Sequence, residues 1–254
     1  MPLPWQIGVL ILHKVYVVGI GPGSYEQMTV KAVKVLEECD VIIGYTVYID
    51  LVKEYFKDKE FLTTPMRQEV TRCELAFREA EKGKRAAVIC SGDAGVYGLA
   101  GLMLEVGEKY PQCRVEVVAG VTAAVSGAAV LGAPLMHDFV LISLSDLLTP
   151  WEKIENRLLC AAKGDFGICL YNPASKKRHD YLEKACNLVL TYAKKDTVCG
   201  IVKNIGRRGE EMGIMTLEEL AHTPADMFTT VYIGNSQTRV INGRMVTPRG
   251  YLVE

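Results

Sequence analysis

Short apolar runs alternate with helically spaced segments along almost the whole chain. Val15-Tyr16-Val17-Val18-Gly19-Ile20 is apolar and β-branched, which predicts a buried strand. Residues 29–38 follow with helical spacing and place Val30, Val33 and the Ala32/Leu36 pair near one face. Val41 to Gly44 reads as a second strand. A long helix is predicted from Glu69 to Lys82, with Gly83 as its stop. Ala86 to Cys90 is a third strand, Val96 to Lys109 a helix ended by Pro111, and Arg114 to Val118 a fourth strand. A small-residue helix over Thr122 to Leu131 closes this half.

Ala133-Pro134 interrupts the rhythm and marks the predicted boundary, giving domains over 14–134 and 135–254. Strands are then expected at Phe139 to Leu144, Phe166 to Tyr171 and Thr197 to Lys203. Helices are expected at Pro150 to Ala162 and Ser175 to Tyr192. The tail differs, because Met227 to Gly234 and Gln237 to Thr247 read as antiparallel strands, with Asn242-Gly243 as a tight hairpin turn. The expected fold class is α/β, with two domains that each carry a mostly parallel sheet flanked by helices.

Composition narrows the function. The 254 residues carry 29 Lys plus Arg against 30 Asp plus Glu, and a net charge of −1 argues against a dedicated nucleic-acid binder. The eight cysteines show no C-x-x-C spacing, so no protein-bound metal is expected, and buried reduced thiols are. Ile7 to Leu12 is apolar but far short of the ~20 residues of a membrane span. Residues 1–13 read as an N-terminal extension rather than a signal peptide, and the expected location is the cytoplasm, away from membranes.

The chemistry-bearing residues lie where strands end. Gly19-Ile20-Gly21-Pro22-Gly23 follows the first strand, where a glycine turn lets backbone N–H groups approach a ligand. Its spacing is not G-x-G-x-x-G, and the second strand ends in Gly44-Tyr45 rather than an acid, so a nicotinamide dinucleotide is disfavoured. Ser91-Gly92-Asp93-Ala94-Gly95 follows the third strand. Asp93 there either accepts hydrogen bonds from a ribose or amine, or caps the next helix. Gly120-Val121-Thr122-Ala123 follows the fourth strand, with Thr122 as a candidate cap, and Leu170-Tyr171-Asn172-Pro173 ends a strand of the second half.

Together these residues resemble the tetrapyrrole methylases: Gly19-x-Gly21-Pro22-Gly23, Ser91-Gly92-Asp93, Gly120-Val121-Thr122-Ala123 and Tyr171-Asn172-Pro173, in this order. The resemblance runs from about Lys14 to the C-terminus. Ala119 and Ala94 depart mildly from it, since many members carry proline at both places. It implies a two-domain tetrapyrrole methylase fold with the active site in an interdomain cleft, a homodimer, and S-adenosylmethionine as methyl donor. Within the family, the stretches 135–139, 143–151, 170–173 and 201–207 look most like the branch that methylates carbon 17 of precorrin-3B or cobalt-factor III, with ring contraction, in cobalamin synthesis. Alternatives are a methylase of uroporphyrinogen III or another precorrin carbon, and a non-catalytic nucleotide-binding module.

The resemblance carries donor contacts onto Pro22, Gly92, Asp93, Val96, Thr122, Ala123 and Tyr171, with Gly21 and Gly23 facing the macrocycle. A polycarboxylate substrate requires local positive charge, for which Lys176, Lys203, Arg207 and Arg208 are candidates. Ring contraction requires a group that moves a proton. His137, Asp138 or Asp146 is expected to supply it, against a plainer reading in which His137-Asp138 is a hinge turn and Asp146 a helix cap.

Overall fold

The computed structural model describes residues 13–251 except 176 and 177. It divides into two compact units, the first ending at Thr122 and the second beginning at Ala123. Almost all of the expected N-terminal extension lies outside the described residues.

The first unit is built on five strands: β1 (His13–Gly19), β2 (Val41–Tyr45), β3 (Glu60–Thr64), β4 (Ala86–Cys90) and β5 (Cys113–Val118). Their order is β3-β2-β4-β1-β5 and every pairing is parallel. The helices are α1 (Val30–Glu38), α2 (Thr46–Val52), α3 (Glu69–Glu81) and α4 (Ala100–Gly107). Alternation along the strands feeds two cores. Val15, Val17, Ile43 and Val88 pack with Phe77 of α3 and Met103 of α4. Tyr16, Val18, Ile42 and Ile89 pack with Leu36 of α1 and Ile49 of α2. The sheet is therefore covered on both faces, which is why its strands read as continuous apolar runs rather than alternating ones. Each fully buried Val or Ile contributes roughly 1.5–3 kcal/mol.

Local signals set the helix ends. Thr29 caps α1, its Oγ1 accepting from Ala32 N at 3.1 Å. The buried face of α1 is Ala32 and Leu36, while Val30 is exposed. Gly83, with φ +89, stops the chain just past α3. The helix expected from Val96 starts later, at Ala100. Asp93 first draws the Gly95 and Val96 N–H groups into a turn, and Tyr97 has φ +54.

The second unit opens with α5 (Ala123–Leu131), then β6 (Gly132–Ala133), β7 (Phe139–Ser143), α6 (Trp151–Lys163), β8 (Gly167–Tyr171), α7 (Tyr181–Val189), β9 (Val198–Lys203), β10 (Glu211–Thr216), α8 (Leu217–Ala221), β11 (Thr229–Ile233), β12 (Arg239–Ile241) and β13 (Arg244–Val246). The main sheet has the order β10-β9-β11-β8-β7. Only β7 and β8 pair in parallel; the β8–β11, β11–β9 and β9–β10 pairings are antiparallel. The expectation of a mostly parallel sheet thus holds in the first unit and not in this one. Here β11, reached from β10 through α8, runs back between β8 and β9 and is antiparallel to both.

The chain divides earlier than the Ala133-Pro134 signal suggested. Helix α5 packs on the second sheet, where Ala124, Ala128 and Leu131 meet Cys169, Val202 and Tyr232. Its small residues permit that contact, because a Cβ on Gly127 would stand 2.3 Å from the Tyr232 hydroxyl. Helices α6, α7 and α8 cover the opposite face through Ile154, Leu158, Leu182 and Leu220. Helix α7 begins at Tyr181 rather than Ser175, since Ser175 and Arg178 first close a turn through reciprocal backbone bonds of 3.2 and 3.0 Å. The Asn242-Gly243 hairpin forms as expected, both residues with positive φ.

Candidate active site

In the first unit, β1 lies between β4 and β5, so the three glycine turns at their carboxyl ends are neighbours. They pack backbone on backbone. Gly21 and Gly92 exchange hydrogen bonds, Gly21 N to Gly92 O at 3.0 Å and Gly92 N to Gly21 O at 2.7 Å. A Cβ on Gly120 would come within 2.2 Å of Gly92 O and 2.6 Å of Gly19 C, and one on Gly19 within 2.7 Å of Gly120 N. Glycine is required here by this close approach.

Asp93 ties the turns together. Its Oδ2 accepts from Gly120 N at 2.8 Å, and its Oδ1 accepts from Gly95 N at 2.8 Å and Val96 N at 3.1 Å. Three backbone donors thus converge on one carboxylate, each such bond being of the stronger, charge-assisted kind. Asp93 does not cap the next helix, which begins at Ala100 with Leu99 at its N-cap; it holds its own turn and the Gly120 turn instead. Thr29 adds a further tie, its Oγ1 donating to Ala119 O at 3.2 Å. Gly21, Pro22, Gly23, Gly92, Asp93, Val96 and Thr122 all fall on these three turns, at the carboxyl ends of parallel strands where open α/β sheets take their ligands. Most of the backbone groups named here are spent in holding the turns against one another, so the turns form a rigid, glycine-rich rim at the strand ends.

The second unit carries a different cluster. The carboxyl ends of β7, β8 and β9 and the amino end of β11 share one edge of its sheet. Ser143 lies beside Tyr171, and its Oγ accepts from Asn172 Nδ2 at 2.9 Å and from Ser145 N at 3.2 Å. Asn172 holds φ +54, a conformation that asparagine tolerates better than most residues. The Arg178 guanidinium donates to Ser175 Oγ at 3.1 Å, Ser145 Oγ at 2.8 Å and Asp146 Oδ1 at 3.3 Å. Tyr181 OH donates to Asp146 Oδ2 at 2.7 Å and its ring packs 4.4 Å from Trp151. The hydrogen bond to Asp146, with burial and the nearby negative charge, holds the Tyr181 hydroxyl above its ordinary pKa.

Lys203 and Arg207 lie along the same edge. Lys203 Nζ pairs with Asp226 at 2.8 Å, and the Arg207 guanidinium sits 5.7 Å from the Phe228 ring centroid. Burial acts against the Asp226 charge, but the bonds from Lys203, the Phe228 N–H and Thr229 outweigh it and hold the carboxyl below its ordinary pKa. Arg208 is exposed on the following turn. Lys176 lies outside the described residues. The Tyr171 hydroxyl accepts from Ala124 N at 2.7 Å, so it caps the first turn of α5, and Ala123 begins that helix.

Two expected residues do not join this cluster. His137 and Asp138 precede β7, at the amino end of a strand whose carboxyl end leads to Asp146. The Asp138 carbonyl accepts from Gly167 N at 3.1 Å at the start of β8. His137, Asp138 and Asp146 therefore do not form one acid–base group, because a full strand separates the first two from the third. The sequence reading missed Ser143, Ser145 and Tyr181 as members of the cluster. A cue was available in Ser143-x-Ser145-Asp146, a polar turn directly after an apolar strand.

Among the described residues no group of three or more His, Cys, Asp or Glu is placed to hold a metal ion. No helix among them is long and apolar enough to cross a membrane. Six of the eight cysteines are buried, and all eight are free thiols.

The family model for tetrapyrrole (corrin/porphyrin) methylases matches residues 14–221. The chain belongs to the tetrapyrrole methylases. Among its relatives in this family, a Salmonella typhimurium protein named "Probable cobalt-factor III C(17)-methyltransferase" is 45% identical over 236 residues, spanning 92% of this chain and 98% of that protein. A Priestia megaterium "Cobalt-factor III methyltransferase" is 44% identical over 94% of this chain but only 45% of its own, longer length. A Sinorhizobium "Precorrin-3B C(17)-methyltransferase" is 36% identical over 93% of this chain and 96% of that protein. The crystal structure of the methyltransferase CobJ superposes with a TM-score of 0.87, at 32% identity, over 93% of this chain and 100% of that one. This tetrapyrrole methylase therefore has the two-domain α/β fold that its glycine turns implied.

Proposed function

We propose that this chain transfers a methyl group from S-adenosylmethionine to carbon 17 of cobalt-factor III, with contraction of the macrocycle, as a step of cobalamin biosynthesis. The observation that carries the reading is the likeness, over nearly the full length of both chains, to proteins named for that reaction. Identity is higher to those named for cobalt-factor III than to the one named for precorrin-3B, which favours the cobalt-containing acceptor over the metal-free one.

The turns of the first unit fit the donor. Gly92, Asp93, Val96 and Thr122 lie on turns fixed by their own hydrogen bonds, and Pro22 stands on the adjoining turn. When bound, S-adenosylmethionine supplies a methyl group already activated on a sulfonium sulfur. What remains for the protein is alignment, which lowers a barrier by about 7–11 kcal/mol in well-oriented cases. Asp93 contributes by fixing the turns, through the three N–H groups it accepts. In this reading the turn that carries Gly21 and Gly23 faces the acceptor.

Lys203, Arg207 and Arg208 supply the positive charge that a polycarboxylate acceptor needs, and Phe228 offers an aromatic face beside them. Ring contraction moves a proton. Of the three residues expected to do this, Asp146 keeps the assignment, because Tyr181 OH already shares a hydrogen with its Oδ2. The assembly in this reading is a cytoplasmic homodimer, which sedimentation of the purified protein would check.

The deciding experiment offers purified protein and labelled donor either cobalt-factor III or metal-free precorrin-3B, following mass and absorption. A gain of one methyl with the cobalt substrate alone is the expected result. A gain with precorrin-3B alone would reverse the cobalt assignment. No gain with either, while donor binding is intact, would sink the carbon-17 reading.

A further inference from the structure

The loop between β7 and α6 has an unusual character. At its tip Leu147 is 63% exposed and Leu148 98% exposed. Single exposed leucines are ordinary on protein surfaces. Here, however, the residues just before the tip are firmly held. Ser145 is bonded through its N–H to Ser143 Oγ and through its Oγ to Arg178, and Asp146 is bonded through both oxygens to Arg178 and Tyr181. Arg178 is itself anchored on Ser175, and the Tyr181 ring on Trp151. The loop thus displays two leucines to water while its base is fixed, so the ordering entropy is already spent before any partner arrives.

We infer that Leu147 and Leu148 form an apolar contact for the face of the tetrapyrrole ring, and that the Arg178–Asp146–Tyr181 cluster positions them for it. The inference rests on the function proposed above and adds a specificity determinant to it. A tetrapyrrole is a flat, largely apolar ring rimmed by carboxylates. The edge that carries this loop also carries Lys203 and Arg207, so it offers apolar contact and rim charge together. Arg178 is half-spent on Asp146, which suits it to holding the loop more than to binding a carboxylate outright.

Leu148→Ser is a clean test, because a side chain 98% exposed has no part in the folded core. The wild-type protein is first shown to methylate the tetrapyrrole. The variant should then raise KM for the tetrapyrrole about 10-fold, the usual effect of losing one apolar contact. KM for S-adenosylmethionine and the melting temperature should stay unchanged. Tyr181→Phe should shift the same constant in the same direction, by less. A tetrapyrrole KM within about twofold of wild type would overturn the inference while leaving the function intact. So would a variant that sediments as a smaller species, since the leucines would then belong to a contact between copies. Wild-type protein that fails to methylate would overturn the reading beneath it.

Discussion

The two units build their sites from different materials. In the first, backbone meets backbone across Gly19, Gly92 and Gly120, and one carboxylate gathers three N–H groups. In the second, side chains do the joining: Ser143 to Asn172, Ser145 and Asp146 to Arg178, Asp146 to Tyr181. A backbone-built site is insensitive to which side chains surround it but intolerant of any added atom. A side-chain-built site degrades by degrees as single contacts are lost, and it can be retuned by substitution. The first arrangement suits a donor common to a whole family, and the second suits an acceptor that differs from one branch to another.

Substitutions can test that contrast. The largest effect should come from Gly120→Ala, whose Cβ meets Gly92 O at 2.2 Å with only backbone to yield. It should destabilise the first unit by roughly 3 kcal/mol or more and abolish donor binding, as read by thermal melting and calorimetry. Wild-type donor affinity in this variant would break the comparison outright. Asp93→Ala should come next. It removes the acceptor of the part-buried Val96 and Gly120 N–H groups, an orphan of that kind costing about 1–3 kcal/mol when water cannot replace the partner, while the exposed Gly95 N–H turns to water. Donor affinity should fall on the order of 100-fold, while tetrapyrrole binding, measured by absorbance titration, changes less.

In the second unit the effects should be graded. Asp146→Ala should leave the added methyl detectable by mass while the absorption change of ring contraction is slowed; unchanged rates of both would remove Asp146 from the mechanism. The exposed Lys203–Asp226 pair should matter least to stability. Asp226→Asn should change it by under about 1 kcal/mol, because exposed pairs are screened. Asp226 has its carboxyl held below the ordinary value, so its contribution is complete above about pH 4 and is lost as pH falls through the folded-state value. An acid melting series on wild type and Asp226→Asn should therefore converge at low pH.

Legibility in the sequence followed the same division. The parallel core strands were readable because burial on both faces leaves unbroken apolar runs such as Ala86 to Cys90. The edge strands β3 and β10 were not, because Glu60-Phe61-Leu62-Thr63-Thr64 and the Gly213-bearing run are half exposed and carry no clean period. The glycine turns announced themselves through spacing. The Arg178 cluster did not, since its members lie up to 38 positions apart and only the sheet edge unites them. His137, Asp138 and Asp146 are alternatives for one role on their nearness to the domain boundary, yet a single strand runs between the first two and the third and carries them to opposite ends. The domain boundary was placed at a proline, whereas the chain divides where small residues let α5 lie flat on the second sheet.

The strand order of the first unit also has a temporal meaning. β1 pairs with β4 and β5, never with β2, so the first strand made has no partner until Cys90 has been added. At about 5–20 residues per second, a growing chain carries β1 unpaired for several seconds. The turn at Gly19 closes only when Gly92 and then Gly120 arrive to lie against it. Its completion therefore coincides with completion of the whole sheet, and a nascent or truncated chain lacking β5 also lacks the Gly120 turn that packs against Gly19 and Gly92.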